Sequence, residues 1–407
     1  MKWEKNRKWI GICIRLCAVT VLLIWMLVAC SEVKAWANTF DGKAETDMQN
    51  DMDDIVSDTM GQLDFGDIEQ FIKGQSTEAN LTFQEVMERL MAGDLTGLCG
   101  RLLESLKSIL FSEISAGGRL MGQILALGVL GAVFTNFSSV FNGSQISETG
   151  FFVTYLLLFT LLTAGLGQSI QVASDTVGSI LQFMKVLMPT YFLAVAFAGG
   201  SVSATAMYEF TLLMITVGQW LLVGLMIPAV RMYMLLTLAS NMVKEEFLSR
   251  LTELLEQLIG WGMKTLLGVV LGFHLIQGLI LPYVDSLKNG SVHKLIGMIP
   301  GIGQGASTVT QMLLGAGVLI KNTMGMAAVV ILLVMAAVPV MKLVILMLLY
   351  QCLAAVMEPV CDKRLVACIG AAAKGHKMLL KIVTTAALLL VITVALVCAG
   401  TNVTYYA

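Results

Sequence analysis

Between Gly325 and Val338 the chain runs for fourteen residues with no charge and no proline, and the apolar character continues on both sides without a soluble linker. In hydrocarbon a backbone N–H or C=O finds no water, so such a run must pair its amides internally as helix. Pro339 fits inside it only where neighbouring groups satisfy the carbonyl that its missing N–H releases. Composition extends this reading to the whole chain: 57% of the 407 residues are hydrophobic and 13% are charged, more apolar and less charged than soluble domains. A soluble fold is excluded. The expected class is all-α, a polytopic helical membrane protein.

Apolar segments run at about 118–141, 150–172, 178–198, 205–227, 228–243, 259–281, 295–318, 324–341, 342–357 and 382–400. A span needs about 20 residues, so the short pieces after Pro228 and around Lys342 read equally as half-helices or as continuations, and the count comes to about eight to ten spans. Between them, Lys244 to Gln257 alternates Glu245, Glu246, Arg250, Glu253 and Glu256 with Phe247, Leu248, Leu251, Leu254 and Leu255, the pattern of an amphipathic helix on a membrane face.

Charge divides the chain into three parts. Residues 1–37 read as a signal peptide: Lys2, Lys5, Arg7, Lys8 and Arg15 precede a short apolar core from Leu16 to Ala29. Two processing sites compete there, an A-x-A site at Ala35-Trp36-Ala37 and a lipobox-like Leu27-Val28-Ala29-Cys30, and an uncleaved first helix is the third reading. Residues 38–117 hold 16 acids against 5 bases, and residues 118–407 hold 10 against 15. The first of these reads as an acidic exported segment, in which Phe83, Val86, Met87, Leu90 and Met91, then Leu102, Leu103, Leu106, Ile109 and Leu110, recur at helical spacing. The second is the multi-span membrane domain. Lys363, Arg364, Lys374, Lys377 and Lys381, read as one short loop, form the strongest cytoplasmic signal. With the acidic segment outside, an odd number of crossings precedes them and one follows, which leaves the C-terminus outside.

Pro189 to Pro300 and Pro228 to Pro339 share one offset of 111 residues, with Arg231 and Lys342 three residues beyond Pro228 and Pro339. This is the spacing of an internal parallel repeat of the kind some transport proteins use, set against prolines that merely mark helix breaks. Lys185, Glu209, Arg231, His274, Lys321 and Lys342 fall in or beside apolar runs, where a charge is costly and faces a protein interior or a wet cavity. The lysines could instead snorkel to an interface. Glu209 is too short to do so, and Arg231 or Lys185 is its natural partner. Gly199-Gly200 and Pro300-Gly301 with Gly303 and Gly305 read as hinges or re-entrant turns. They are not a nucleotide loop, since no Gly-Lys-Ser/Thr ending follows.

Nothing in the sequence sets out a nucleophile, base and orienting group on one surface, so a catalytic role is not expected. His274, His293 and His376 lie far apart with no ligand spacing, and the eight cysteines form no disulfide framework. No metal and no cofactor are expected.

The stretch 300–342, with Leu319-Ile320-Lys321-Asn322-Thr323 ahead of the apolar run and Pro339 and Lys342 within it, resembles the stage III sporulation protein AE family of endospore-forming bacteria. The order of leader, acidic segment and many-span body fits that family as well. The resemblance implies cleavage after Ala37. It also implies a membrane subunit of the channel or secretion-like complex between mother cell and forespore, needed for late forespore development and placed in the mother-cell membrane around the forespore. Its implied partners are the other stage III A-operon proteins, including a cytoplasmic ATPase, and a forespore membrane protein across the intermembrane space. The alternative is an autonomous secondary transporter for a small solute.

Overall fold

The computed structural model describes residues 60–61, 63–75, 82–91, 112–115, 117–133, 144–199, 201–242, 248–297 and 303–400, with side chains for all of these but 144–148, 201–203, 242, 279–297, 303–311 and 400. The leader with Cys30 and Ala37, the second amphipathic stretch at 102–110, residues 244–247 and the hinge residues Gly200, Pro300 and Gly301 lie outside the described residues. Asp58–Ala407 form one compact unit.

Two short helices lead. In α1 (Gly66–Gly74) only Ile68 is buried, and α2 (Phe83–Met91) buries Phe83, Val86 and Met87, the apolar positions the sequence spacing picks out. Thr82 opens α2 by accepting the Glu85 N–H at 3.2 Å, one half of a capping box. Helix α1 lies along a later helix, α4 (Ser144–Phe197). Gln75 donates to Ser179 at 3.1 Å, Thr190 donates to the Asp64 carbonyl at 3.1 Å, and Phe71 stacks on Phe183 at 6.0 Å.

The body is built from α3 (Ser112–Val133), α4, α5 (Ser201–Gln219), a π-helix (Trp220–Met226), α6 (Ile227–Met242), α7 (Ser249–Gly297), α8 (Gly303–Met357) and α9 (Lys363–Gly400). Counting α5 to α6 as one run, the described residues contain six helices long and apolar enough to cross a membrane. This is fewer than the eight to ten spans expected, because adjacent apolar runs fuse. Runs 150–172 and 178–198 are one helix, and in the joining turn Ala173 and Val177 are buried while Asp175 faces outward. The dip in hydropathy is one polar face of a continuous helix. Pro189 and Pro339 lie inside α4 and α8. Gly303 and Gly305 are helical too, within the first turn of α8, so they form no re-entrant turn. Gly199 does turn the chain, with φ of 88° between α4 and α5. At 54 residues α4 is about 81 Å long, against about 30 Å of hydrocarbon.

Contacts fix the directions. Tyr155, Ser169 and Tyr191 of α4 meet Cys368, His376 and Cys398 of α9 in that order, so α4 and α9 run parallel. Helix α8 runs against both, because Tyr350 lies beside His376 while Gly317 meets the end of α4. A Cβ on Gly317 would come within 2.7 Å of the Phe197 and Ala198 backbones, so only glycine permits this approach. The offset of 111 carries α4 onto α7 and the α5–α6 run onto α8, and each pair runs the same way, as a parallel repeat requires.

The basic group is not one loop. Pro359 follows the end of α8, and Asp362 caps α9 by accepting the Arg364 N–H at 2.9 Å. Only residues 358–362 connect the two helices. Lys374, Lys377 and Lys381 therefore ride on α9, where Lys374 pairs with Glu256 of α7.

Candidate functional site: a buried polar node

Hydroxyls inside an apolar bundle usually donate to the carbonyl four residues back, which satisfies them without a partner helix. Thr154, Thr176, Thr385 and Thr393 all do so. Thr211, 1% exposed on α5, does not, and its Oγ1 has no hydrogen-bond partner among the described residues.

Thr211 follows Phe210, whose ring stacks on Phe273 of α7 at 3.6 Å and meets His274 edge-on at 6.0 Å. His274 is 1% exposed, and its Nε2 lies 3.3 Å from Oγ1 of Thr393 on α9. The Thr393 proton is already donated to the Leu389 carbonyl at 2.8 Å. The threonine oxygen is thus the acceptor and His274 Nε2 carries the hydrogen. In the neutral ring this leaves Nδ1 as a lone pair, and it has no partner among the described residues. Gln277, one turn on, presents an equally unpartnered Oε1.

Helix α8 completes the level. A Cβ on Gly325 would lie 3.0 Å from Val394, 2.9 Å from Cys398 and 3.4 Å from the Tyr191 hydroxyl, so the glycine gives these groups room. One turn earlier, Lys321 is wholly buried and lies within electrostatic range of Cys398, whose thiol is 3.0 Å from the Tyr191 hydroxyl. Asn322 beside it has an unpartnered Oδ1. Five of the six long helical runs contribute to this node, and the segment Leu319 to Thr323 that carries the family resemblance supplies its lysine.

Two further polar layers lie toward the 358–362 end, and both are closed. The Tyr155 hydroxyl donates to the Leu238 carbonyl and sits 3.0 Å from the Cys368 thiol, which also bonds the Asn241 side chain. His376 is fully buried, with Nδ1 2.8 Å from the Ala372 carbonyl and Nε2 2.8 Å from the Ser169 hydroxyl. A carbonyl only accepts, so Nδ1 carries the hydrogen and Nε2 of the neutral ring accepts from Ser169.

Of the residues marked from the sequence, His274 and Lys321 lie in the node. Glu209 and Arg231 are exposed on the outside of the bundle. They sit 22 residues apart on one continuous helical run, about 33 Å, and cannot pair. Lys185 is exposed and donates to Gln219 at 2.8 Å instead. Lys342 pairs with Glu113 of α3 at 3.1 Å, both partly exposed. Lys321 was open to the snorkelling reading and does the reverse.

The sequence profile of the family described as stage III sporulation protein AE matches residues 81–401, which takes in the node and both closed layers. A curated relative, stage III sporulation protein AE of Bacillus subtilis (strain 168), is 23% identical over 360 residues, covering 87% of this chain and 90% of that protein. No solved structure matches the chain significantly.

Proposed function

Because the chain belongs to the stage III sporulation protein AE family, we propose that it is a non-enzymatic membrane subunit of the channel or secretion-like complex between mother cell and forespore. Its role in sporulation follows from the family. Its place in such a complex is the finer reading, and its partners there are the other stage III A-operon proteins, a cytoplasmic ATPase among them, and a forespore membrane protein across the intermembrane space.

The observation that supports this reading is where α1 and α2 lie. They are charged helices from the acidic segment, and α1 is held against α4 between Ser179 and Thr190, toward the opposite end of the bundle from the connection at 358–362. Acidic and basic poles are thereby separated along the long axis. The basic pole faces the cytoplasm by the rule that short basic segments are retained, and the acidic helices face the intermembrane space, where a partner in the second membrane is within reach.

Affinity capture of the tagged chain from sporulating cells is expected to recover other A-operon products. Capture of none of them, together with solute uptake by vesicles holding this chain alone, would establish an autonomous transporter instead. For orientation, Val360→Cys with the native cysteines replaced is expected to resist an impermeant thiol reagent in intact cells. Ready labelling from outside would invert the assignment.

A further inference from the structure

We infer that the polar node is hydrated and forms a one-sided vestibule, open toward the end of the bundle where α4 turns into α5 and closed toward the connection at 358–362. The inference does not depend on the proposed role in sporulation.

Its basis is the sign of what is missing at the node. His274 Nδ1, Gln277 Oε1 and Asn322 Oδ1 are all buried acceptors, Thr211 Oγ1 can accept as well, and none of the four has a partner among the described residues. Buried polar groups left unsatisfied cost about 1–3 kcal/mol each, so four at one level call for a donor. Two kinds of donor are small enough, a cation and water. Lys321, wholly buried within electrostatic range of Cys398, already puts a positive charge at the node, and a second cation there would meet a like charge in a medium of low dielectric. Water adds no charge, donates twice, and typically makes about three bonds in such a place.

The direction of access follows from position. Tyr191 is six residues from the end of α4 and Cys398 two from the end of α9, about 9 Å and 3 Å. Toward the other end the way is filled by Ile180, Phe183, Leu187 and Met188 of α4, all fully buried, and by Leu332 and Leu343 of α8. Beyond them the His376 layer has both its ring nitrogens bonded.

The chain carries its own probes. Cys398 lies in the node and Cys368 in a closed layer, each 3.0 Å from a tyrosine hydroxyl. Intact protein in right-side-out and inverted membrane vesicles is treated with a positively charged, impermeant methanethiosulfonate, and modified cysteines are mapped by peptide mass spectrometry, which needs no substitution. Cys361 reacts slowly at neutral pH, since partial burial and the Asp362 carboxylate raise its thiol above the ordinary value. The expected result is modification of Cys398 at least about tenfold faster than Cys368, from one vesicle side only. Equal rates at the two cysteines, or no reaction at Cys398, would overturn the inference. Thr211→Cys separates a wet interior from labelling at the outer rim, because Thr211 is wholly enclosed. Its modification from the same side as Cys398 supports the vestibule, and its inertness where Cys398 reacts overturns it.

Discussion

Near each end of the seam between α4 and α9 a tyrosine meets a cysteine, yet the surroundings of the two pairs differ. At Tyr155 and Cys368 every neighbouring polar group has a destination: the Leu238 carbonyl receives the phenol proton and Asn241 bonds the thiol. At Tyr191 and Cys398 a buried lysine stands close by, and acceptors on three neighbouring helices are left open. Helix partners and chain direction are the same at both ends. Polarity inside a membrane bundle therefore has two uses, to lock helices together where it is satisfied and to hold something else where it is not.

The comparison can be broken by substitution, with thermal unfolding of the purified protein as the readout. Gly317→Ala is expected to have the largest effect, about 3 kcal/mol of destabilisation, because its Cβ meets backbone that cannot yield. Gly268→Ala, with open space around it, is expected to stabilise by about 0.5–1 kcal/mol through helix propensity. His376→Phe comes next, at about 1–3 kcal/mol, since it removes both hydrogen bonds of a fully buried ring, to Ser169 and to the Ala372 carbonyl. His274→Phe should cost less than about 1 kcal/mol, because one ring nitrogen is already unpartnered and Thr393 keeps its bond to Leu389. Equal losses for the two histidines would erase the distinction between the layers. Glu209→Leu, on the outer face, should move stability by no more than about 0.5 kcal/mol. A larger loss would mean that Glu209 has a structural partner.

Class and family were legible in the sequence, and so was α2, from its apolar spacing. Helix α1 was missed, although Phe65, Ile68, Phe71 and Ile72 already lie at helical spacing. The joins between spans were not legible, since a polar stretch such as Ser174-Asp175-Thr176 looks the same in a loop and in a helix that turns Asp175 outward and buries Thr176. Ranking the intramembrane charges went astray for a related reason. Side-chain length does not rank such charges, because helix face decides exposure: Met207, Thr211 and Ile215 are buried on α5, and Glu209 falls between them on the other side. On α8 the same test favours Lys321, which shares its face with Ile320, Met324 and Ala328. The unpartnered acceptors depend on which helices meet, and no local pattern records that.

The π-helix at Trp220–Met226 sets the angular phase of everything after it. There the Ile227 N–H reaches back five residues to the Leu222 carbonyl, so the turn holds about one residue more than an α-turn, and the wider ring eases the clash that Pro228 would make with the carbonyl four residues before it. One residue on a helix is about 100° of rotation. Winding the same residues as α-helix would leave α5 seated and turn α6 by about that angle, carrying the Leu238 carbonyl away from Tyr155 and Met234 off its seat on Gly375. The far closed layer thus depends on how a segment several turns away is wound.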